Sequence, residues 1–286
     1  MGMNEDGFLS EETLLWKQKH LREAGDAFRI ASELNRAGIK SLYAGVPKLD
    51  DPRAVTASAL FARMLEHYEC AITLLHIGAI PSAQCLLRVM CEVTFAIAVV
   101  AKEPPFVAEY FDNDRHRRVK MLDALLGLRR DESTISKEER DMLKAEVRDL
   151  RAEIQNKRQK ELVVFDTAKR AGLLDLYRYF YVTFSNTVHT SARDLDSHVV
   201  RPGDGLDYVG MRWGPDSRQV EDMVDAAIEI FSPAFYFFME VFPNADGKKT
   251  LDSVWVEQRA RLERRAELLD RTPKAWEPGF KRHAPR

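Results

Sequence analysis

Helical periodicity is the feature of this sequence that most limits its fold. Apolar residues recur every three or four positions along most of the chain, and glycine and proline fall between these segments. Helical segments are predicted near residues 10–37, 52–77, 82–102, 106–128, 136–171, 173–189, 216–242 and 250–271. Residues 206–213 favour at most one small hairpin. The sequence therefore predicts an all-α fold.

The helical segments suggest a division of the chain into four parts. We predict a bundle of about six core helices over residues 49–243, with accessory helices on either side. These are an N-terminal helical arm over residues 1–48 and a charged helix over residues 244–271. The basic tail, residues 272–286, is predicted to be disordered because it holds prolines and few apolar anchors.

Charge and cysteine content exclude several classes of protein. The 43 Lys and Arg residues oppose 45 Asp and Glu, and the net charge of −2 argues against an obligate nucleic-acid coat. Three cysteines in 286 residues exclude a disulfide framework and suggest a reducing compartment. The acidic start is unlike a signal peptide, and the longest apolar run, residues 93–101, is too short to span a bilayer. We expect a cytoplasmic protein without membrane contact.

Two mostly apolar helices each carry a narrow polar stripe, with residues four apart and therefore on one face. The stripe of helix 82–102 consists of Gln84, Arg88 and Glu92. The stripe of the helix ending near residue 189 consists of Tyr181, Ser185 and His189, with Asn186 beside it and Ser191 just beyond. Because an unpaired buried charge costs several kcal/mol, the two stripes are expected to face each other in one polar cluster.

Such a cluster has a structural and a functional interpretation. In the first, its hydrogen bonds only lock the packing of the helices. In the second, a histidine exchanges protons beside an arginine that binds an anion. The candidate catalytic residues are then His189, Arg88 and Glu92, and the candidate ligand-binding residues are Gln84, Tyr181, Ser185, Asn186 and Ser191.

The sequence of the two stripes also resembles a known pattern. The run LLRVMCE over residues 86–92, followed much later by YVTFSNTVHTS over residues 181–191, resembles a bacterial all-helical family of unknown function. In that family an R-x-x-x-E helix precedes a helix that ends in a serine–histidine–serine pattern. The resemblance covers roughly residues 54–242 and implies an all-helical domain, but no activity.

A second resemblance is to HEPN domains, all-helical proteins of which many are metal-independent ribonucleases that act as homodimers. Their pattern is an arginine, a polar residue, and a histidine four to six positions beyond the arginine. Arg193 and His198, in the run RDLDSH, match it. The resemblance implies a stress or defence protein that binds or cleaves RNA, with His198 as general acid or base and Arg193 stabilising phosphate charge. A helix end with solvated charges is the alternative for this segment.

Other common catalytic patterns are missing from the sequence. It holds no H-E-x-x-H, E-x-x-H, C-x-x-C or G-x-S-x-G, so we expect no metal and no cofactor. The class that competes with an RNA-cleaving protein is a non-catalytic interaction or small-anion-binding module. The sequence names no protein partner.

One short row of apolar residues, called the seam below, is relevant to the expected homodimer. Leu143, Val147, Leu150 and Ile154 follow the spacing of a coiled coil for only a few turns. This pattern indicates either a solvated helix with one apolar edge or a dimerisation arm.

Overall fold

The computed structural model describes residues 5–128, 135–189, 191–195, 198–200 and 210–270, excluding the side chains of residues 193, 194 and 268–270. The elements, in chain order, are a 3₁₀ turn (Gly7–Leu9), α1 (Thr13–Glu23), α2 (Gly25–Ala44), α3 (Pro52–His76), α4 (Ile80–Lys102), α5 (Phe106–Gly127), α6 (Lys137–Asn156), α7 (Val164–Ala171), α8 (Leu174–Leu176), a π-helical turn (Tyr177–Tyr181), α9 (Val182–Val188), α10 (Ala192–Leu195), β1 (Val199–Val200), β2 (Gly210–Met211), α11 (Val220–Val241) and α12 (Ala245–Asp270). The predicted all-α helical bundle is confirmed.

The centre of the bundle consists of α3, α4 and α11, which pack against one another. The ring of Phe61 on α3 stacks on that of Phe238 on α11, with ring centroids 4.2 Å apart. The hydroxyl of Thr94 on α4 donates a hydrogen bond to the carbonyl oxygen of Ile230 at 3.0 Å, which satisfies a polar group inside the core. On its other side α4 contacts α7, the π-helical turn and α9. Neighbours on both sides explain why α4 is apolar on nearly every face.

The length and composition of α4 would also allow it to cross a membrane. However, 67% of its most apolar 18-residue window is buried inside the protein, which is consistent with the core helix of a soluble protein. The predicted run of residues 93–101 is shorter than this window because the stripe residues Arg88 and Glu92 interrupt the apolar sequence.

The start of α3 follows directly from its sequence. The carboxylate of Asp51 accepts hydrogen bonds from the backbone N–H groups of Arg53 and Ala54 at 3.0 and 3.1 Å. Pro52 occupies the first helical position, where a missing N–H costs nothing. The predicted helix over residues 52–77 is therefore confirmed.

The helical pattern predicted over residues 10–37, in which Gly25 is the weak point, forms two helices. The chain breaks at Ala24, next to the glycine that weakens the helix, and α2 then continues through Gly38 to Ala44. Of the residues predicted to mark the connection, Gly45 and Pro47 do follow α2, whereas Gly38 lies inside the helix because this glycine serves packing rather than a turn. A Cβ atom there would lie 2.9 Å from Cζ of Phe231 and 3.1 Å from Cδ2 of Leu65.

Replacing Gly38 by valine is expected to destabilise the protein by about 1–3 kcal/mol, since the added methyl groups would enter a packed core. The matched control is Gly25→Val, at a position where a Cβ atom meets nothing within 4 Å. Urea denaturation of both variants measures the difference. An equal effect at the two positions would show that Gly38 is not a close-packing site.

The predicted seam of α6 is used within the chain. Leu143, Val147, Leu150 and Ile154 pack against Val119, Leu122 and Leu126 of α5 in a small separate cluster. This arrangement is an antiparallel helical hairpin and confirms the solvated helix with one apolar edge. A homodimer stays a prediction, and so does the four-part division of the chain.

The C-terminal part also departs from the predicted boundaries. Helix α12 begins at Ala245, inside the predicted C-terminal part 244–271 but five residues before the helical segment predicted near 250–271. It starts there because the side chain of Asn244 accepts a hydrogen bond from the backbone N–H of Gly247 at 2.9 Å. The short strands β1 and β2 pair antiparallel, with Val199 opposite Met211, and this pair is the one small sheet among the described residues, which agrees with the prediction of at most one hairpin. However, β1 precedes the stretch predicted for it, residues 206–213, of which residues 206–209 lie outside the described residues. The tail, residues 272–286, lies outside the described residues.

Candidate functional site

The structure brings the two polar stripes together at one edge of the core. α4 runs antiparallel to the segment formed by the π-helical turn and α9, so residues early in α4 meet residues late in that segment. We use the name Arg88 cluster for the four residues that meet there, Arg88, Glu92, Tyr181 and Ser185.

Arg88 is the centre of the Arg88 cluster, since each of its three guanidinium nitrogens has a partner. Nε donates to Oγ of Ser185 at 3.2 Å, and Nη2 donates to the hydroxyl of Tyr181 at 2.8 Å. Nη1 lies 3.1 Å from a carboxylate oxygen of Glu92. The guanidinium carbon also lies 4.8 Å from the centre of the Tyr181 ring, within the range of a cation–π contact. These contacts use three of the five N–H groups of the guanidinium, so two N–H groups of Arg88 remain to bind an anion.

The Arg88 cluster is half-buried. The side chain of Arg88 is 19% exposed and that of Glu92 is 34% exposed, so both charges keep some contact with water. Burial raises the pKa of the Tyr181 hydroxyl, and the negative charge of Glu92 adds to this effect. Tyr181 is therefore a neutral hydrogen-bond partner rather than an acid at neutral pH.

Gln84, one helical turn before Arg88, extends the contact between the two helices. Its partner is Thr187, which the spacing of the stripes does not predict. The hydroxyl of Thr187 donates to Oε1 of Gln84 at 2.9 Å, and Nε2 of Gln84 lies 3.6 Å from the sulfur of Met223. Thr187 lies only two residues after Ser185, so a search for residues spaced by four along this helix does not find it.

The structure places His189 and Asn186 apart from the Arg88 cluster. Both residues are exposed, and no hydrogen bond joins the His189 ring to the Arg88 cluster among the described residues. His189 directly follows the last residue of α9, and its backbone N–H still donates to the carbonyl oxygen of Ser185 at 3.2 Å, so its backbone follows the helix while its side chain is exposed. Ser191 is half-buried, and its backbone N–H donates to the carbonyl oxygen of Asn186 at 3.1 Å.

The second candidate pair lies between α9 and the hairpin. Arg193 belongs to α10, and its side chain is outside the described residues. His198 is half-buried and directly precedes β1. Its Nδ1 lies 3.1 Å from the carbonyl oxygen of Arg212, and its own carbonyl oxygen accepts from the Arg212 N–H at 2.7 Å. The hairpin thus fixes both the backbone and the ring of His198.

Metal binding has no candidate residues in the part of the chain that the structure describes. No three His, Cys, Asp or Glu side chains are grouped there in a way that could hold a metal ion.

The fold and the Arg88 cluster define a helical-bundle protein in which an arginine of a central helix contacts a tyrosine and a serine of a neighbouring helical segment. The model of a family of unknown function, DUF5677, matches residues 55–206, which is more than half of the chain. The chain therefore belongs to this family, and the resemblance to an all-helical family of unknown function is confirmed. The matched stretch contains the whole Arg88 cluster and His198. A search of the curated proteins gave no match, and a search of the solved structures gave none.

Proposed function

We propose that this protein binds and cleaves RNA in a bacterial stress or defence system, with His198 as its general acid or base. The resemblance of residues 193–198 to the HEPN pattern suggests the reaction. The observation that carries the proposal is the hydrogen bond between Nδ1 of His198 and the carbonyl oxygen of Arg212.

This hydrogen bond determines which ring nitrogen of His198 can act on a substrate. A carbonyl oxygen only accepts hydrogen bonds, so Nδ1 carries the proton and Nε2 holds the lone pair of the neutral ring. Nε2 has no hydrogen-bond partner among the described residues. Nε2 can take the proton of an RNA 2′-hydroxyl while that oxygen attacks the phosphorus atom. The bond to the 5′-oxygen then breaks, and this oxygen takes a proton from water, which leaves a 2′,3′-cyclic phosphate and a 5′-hydroxyl. Arg193, five residues earlier, would stabilise the phosphate charge.

The test is incubation of single-stranded RNA with the full chain in EDTA, with analysis of the products on a denaturing gel. The wild type is expected to cleave, and His198→Ala is expected to lose about 10²–10⁴ in rate, the usual contribution of a general acid or base. His189→Ala is the matched control and should keep the wild-type rate. Loss of cleavage in His189→Ala with His198→Ala unaffected would overturn the assignment of His198.

A second candidate function is supported by the Arg88 cluster. All three guanidinium nitrogens of Arg88 are already paired, which favours a structural cluster in a non-catalytic interaction or small-anion-binding module. If the wild type cleaves no RNA in the same assay, RNA cleavage is excluded and this second candidate is favoured.

A further inference from the structure

A second polar centre lies where α1, the end of α3 and the segment before α11 meet. Lys19 and His20 lie on α1, His76 is the last residue of α3, and Ser217 comes three residues before α11. None of these residues belongs to the Arg88 cluster or to the hairpin that holds His198. His20, Lys19 and Ser217 also lie outside the stretch that matches the family.

The ring of His20 joins two of these elements through its two nitrogens. Nδ1 lies 2.8 Å from the backbone carbonyl oxygen of His76, and Nε2 lies 2.9 Å from Oγ of Ser217. The carbonyl oxygen can only accept, so Nδ1 carries the proton and Nε2 of the neutral ring is an acceptor. The hydroxyl of Ser217 therefore donates its proton toward His20.

Lys19 adds a positive charge to the same oxygen. Its Nζ donates a hydrogen bond to Oγ of Ser217 at 3.0 Å. The same ammonium group lies 4.9 Å from the centre of the Trp16 ring and 3.9 Å from a carboxylate oxygen of Glu23. A cation at this distance stabilises negative charge that develops on Oγ when the serine loses its proton.

The packing holds His20 in place while leaving Ser217 partly accessible. His20 is 1% exposed, whereas Ser217 is half-buried. The backbone N–H of Asp216 donates to the carbonyl oxygen of Gly78 at 3.0 Å, which anchors the segment beside the histidine. A Cβ atom on Gly78 would lie 2.9 Å from Cε1 of His20, so only glycine allows this close approach.

We propose that Ser217 is a nucleophile, with His20 as its general base and Lys19 as the stabilising cation, and that this site transfers acyl groups from small carboxylic esters. A nucleophile within hydrogen-bond distance of a base, with the base oriented by a third group, is the arrangement that activates serine hydroxyls. Here the third group is the His76 carbonyl.

The reaction balances with these residues and water. Oγ of Ser217 forms a bond to the ester carbonyl carbon while its proton moves to Nε2 of His20. The bond from that carbon to the alkoxy oxygen then breaks, and the alcohol leaves with the proton from His20. Water attacks the acyl-serine and gives its proton to His20. The acid is released and the serine hydroxyl is restored.

The direct test is a serine-reactive fluorophosphonate added to the full chain, with the adduct measured by intact mass spectrometry. Attack by Oγ forms an oxygen–phosphorus bond, breaks the phosphorus–fluorine bond and releases fluoride. One adduct per wild-type chain is expected, none on Ser217→Ala, and full labelling on Ser82→Ala, which changes an exposed serine. An unlabelled wild type, or equal labelling of Ser217→Ala, would overturn the proposal.

A second measurement separates activation from a purely structural hydrogen bond. In the Ser217→Cys variant, His20 and Lys19 would favour the thiolate form of the introduced thiol. Iodoacetamide should therefore react with this thiol at least about tenfold faster than with the exposed Cys70 of the same chain. Adding Lys19→Met should reduce this advantage several-fold. A rate for the introduced thiol no higher than that of Cys70 would contradict activation at this position.

Discussion

Replacing Arg261 with methionine is expected to lower the free energy of unfolding by about 3 kcal/mol, because it removes a buried cation from the buried carboxylate of Asp225 and from the half-buried carboxylate of Glu221. Arg261 lies on α12, is 6% exposed, and forms ion pairs with Glu221 and Asp225 of α11. Asp225 also accepts from Nε2 of Gln258 at 2.7 Å. Arg265 stays 3.3 Å from Asp225 in the variant, which keeps the loss at the lower end of the range for broken buried pairs.

Urea denaturation followed by circular dichroism at 222 nm measures this loss. The matched control is Arg259→Met on the same helix, whose ion pair with Glu263 at 2.8 Å is well exposed. It should change the free energy of unfolding by no more than about 0.5 kcal/mol. Equally small changes in the free energy of unfolding of both variants would mean that Arg261 does not stabilise the packing of α12 against α11.

The second large effect is expected in the Arg88 cluster. Arg88→Met should lower the free energy of unfolding by about 2–3 kcal/mol, because three residues lose their contact with the guanidinium group. Hydrogen bonds to charged groups contribute more stability than hydrogen bonds between neutral groups. The three residues are Ser185, Tyr181 and Glu92. The partial exposure of the Arg88 cluster keeps the loss below that of a fully buried ion pair.

The matched control for Arg88 is Arg29→Met on α2. Arg29 is also in ion pairs, with Glu33 at 3.0 Å and with Glu257, but its side chain is 44% exposed. Its replacement should cost less than about 1 kcal/mol. If the two variants lose the same stability, the Arg88 cluster does not hold α4 against its neighbour.

Features of this fold that depend on neighbouring residues in the chain can be predicted from the sequence. The cap at Asp51 with Pro52 behind it fixes the start of α3. The spacing of four places Arg88 and Glu92 on one face of α4, and the cost of burying charge brings a polar neighbour to that face. The same reasoning anticipates that Tyr181 and Ser185 supply it.

Other features depend on contacts between distant segments and leave no local pattern. Ser217 and His20 are 197 positions apart, so no spacing in the sequence links them. Gly38 looks like a helix boundary until Phe231 is seen packed against it. Nothing in the sequence shows that the side chain of His189, at the end of α9, is exposed rather than in contact with Arg88. The partner of the α6 seam is likewise visible only once α5 lies beside it.

A double-mutant cycle between Arg88 and Tyr181 tests most directly whether the Arg88 cluster joins the two helices. The free energies of unfolding of Arg88→Met, Tyr181→Phe and the double variant are compared with that of the wild type. Residues in direct contact typically show interaction energies of about 0.5–3 kcal/mol, and we expect at least about 1 kcal/mol here. Losses that add within about 0.3 kcal/mol would show that Arg88 and Tyr181 do not couple the two helices.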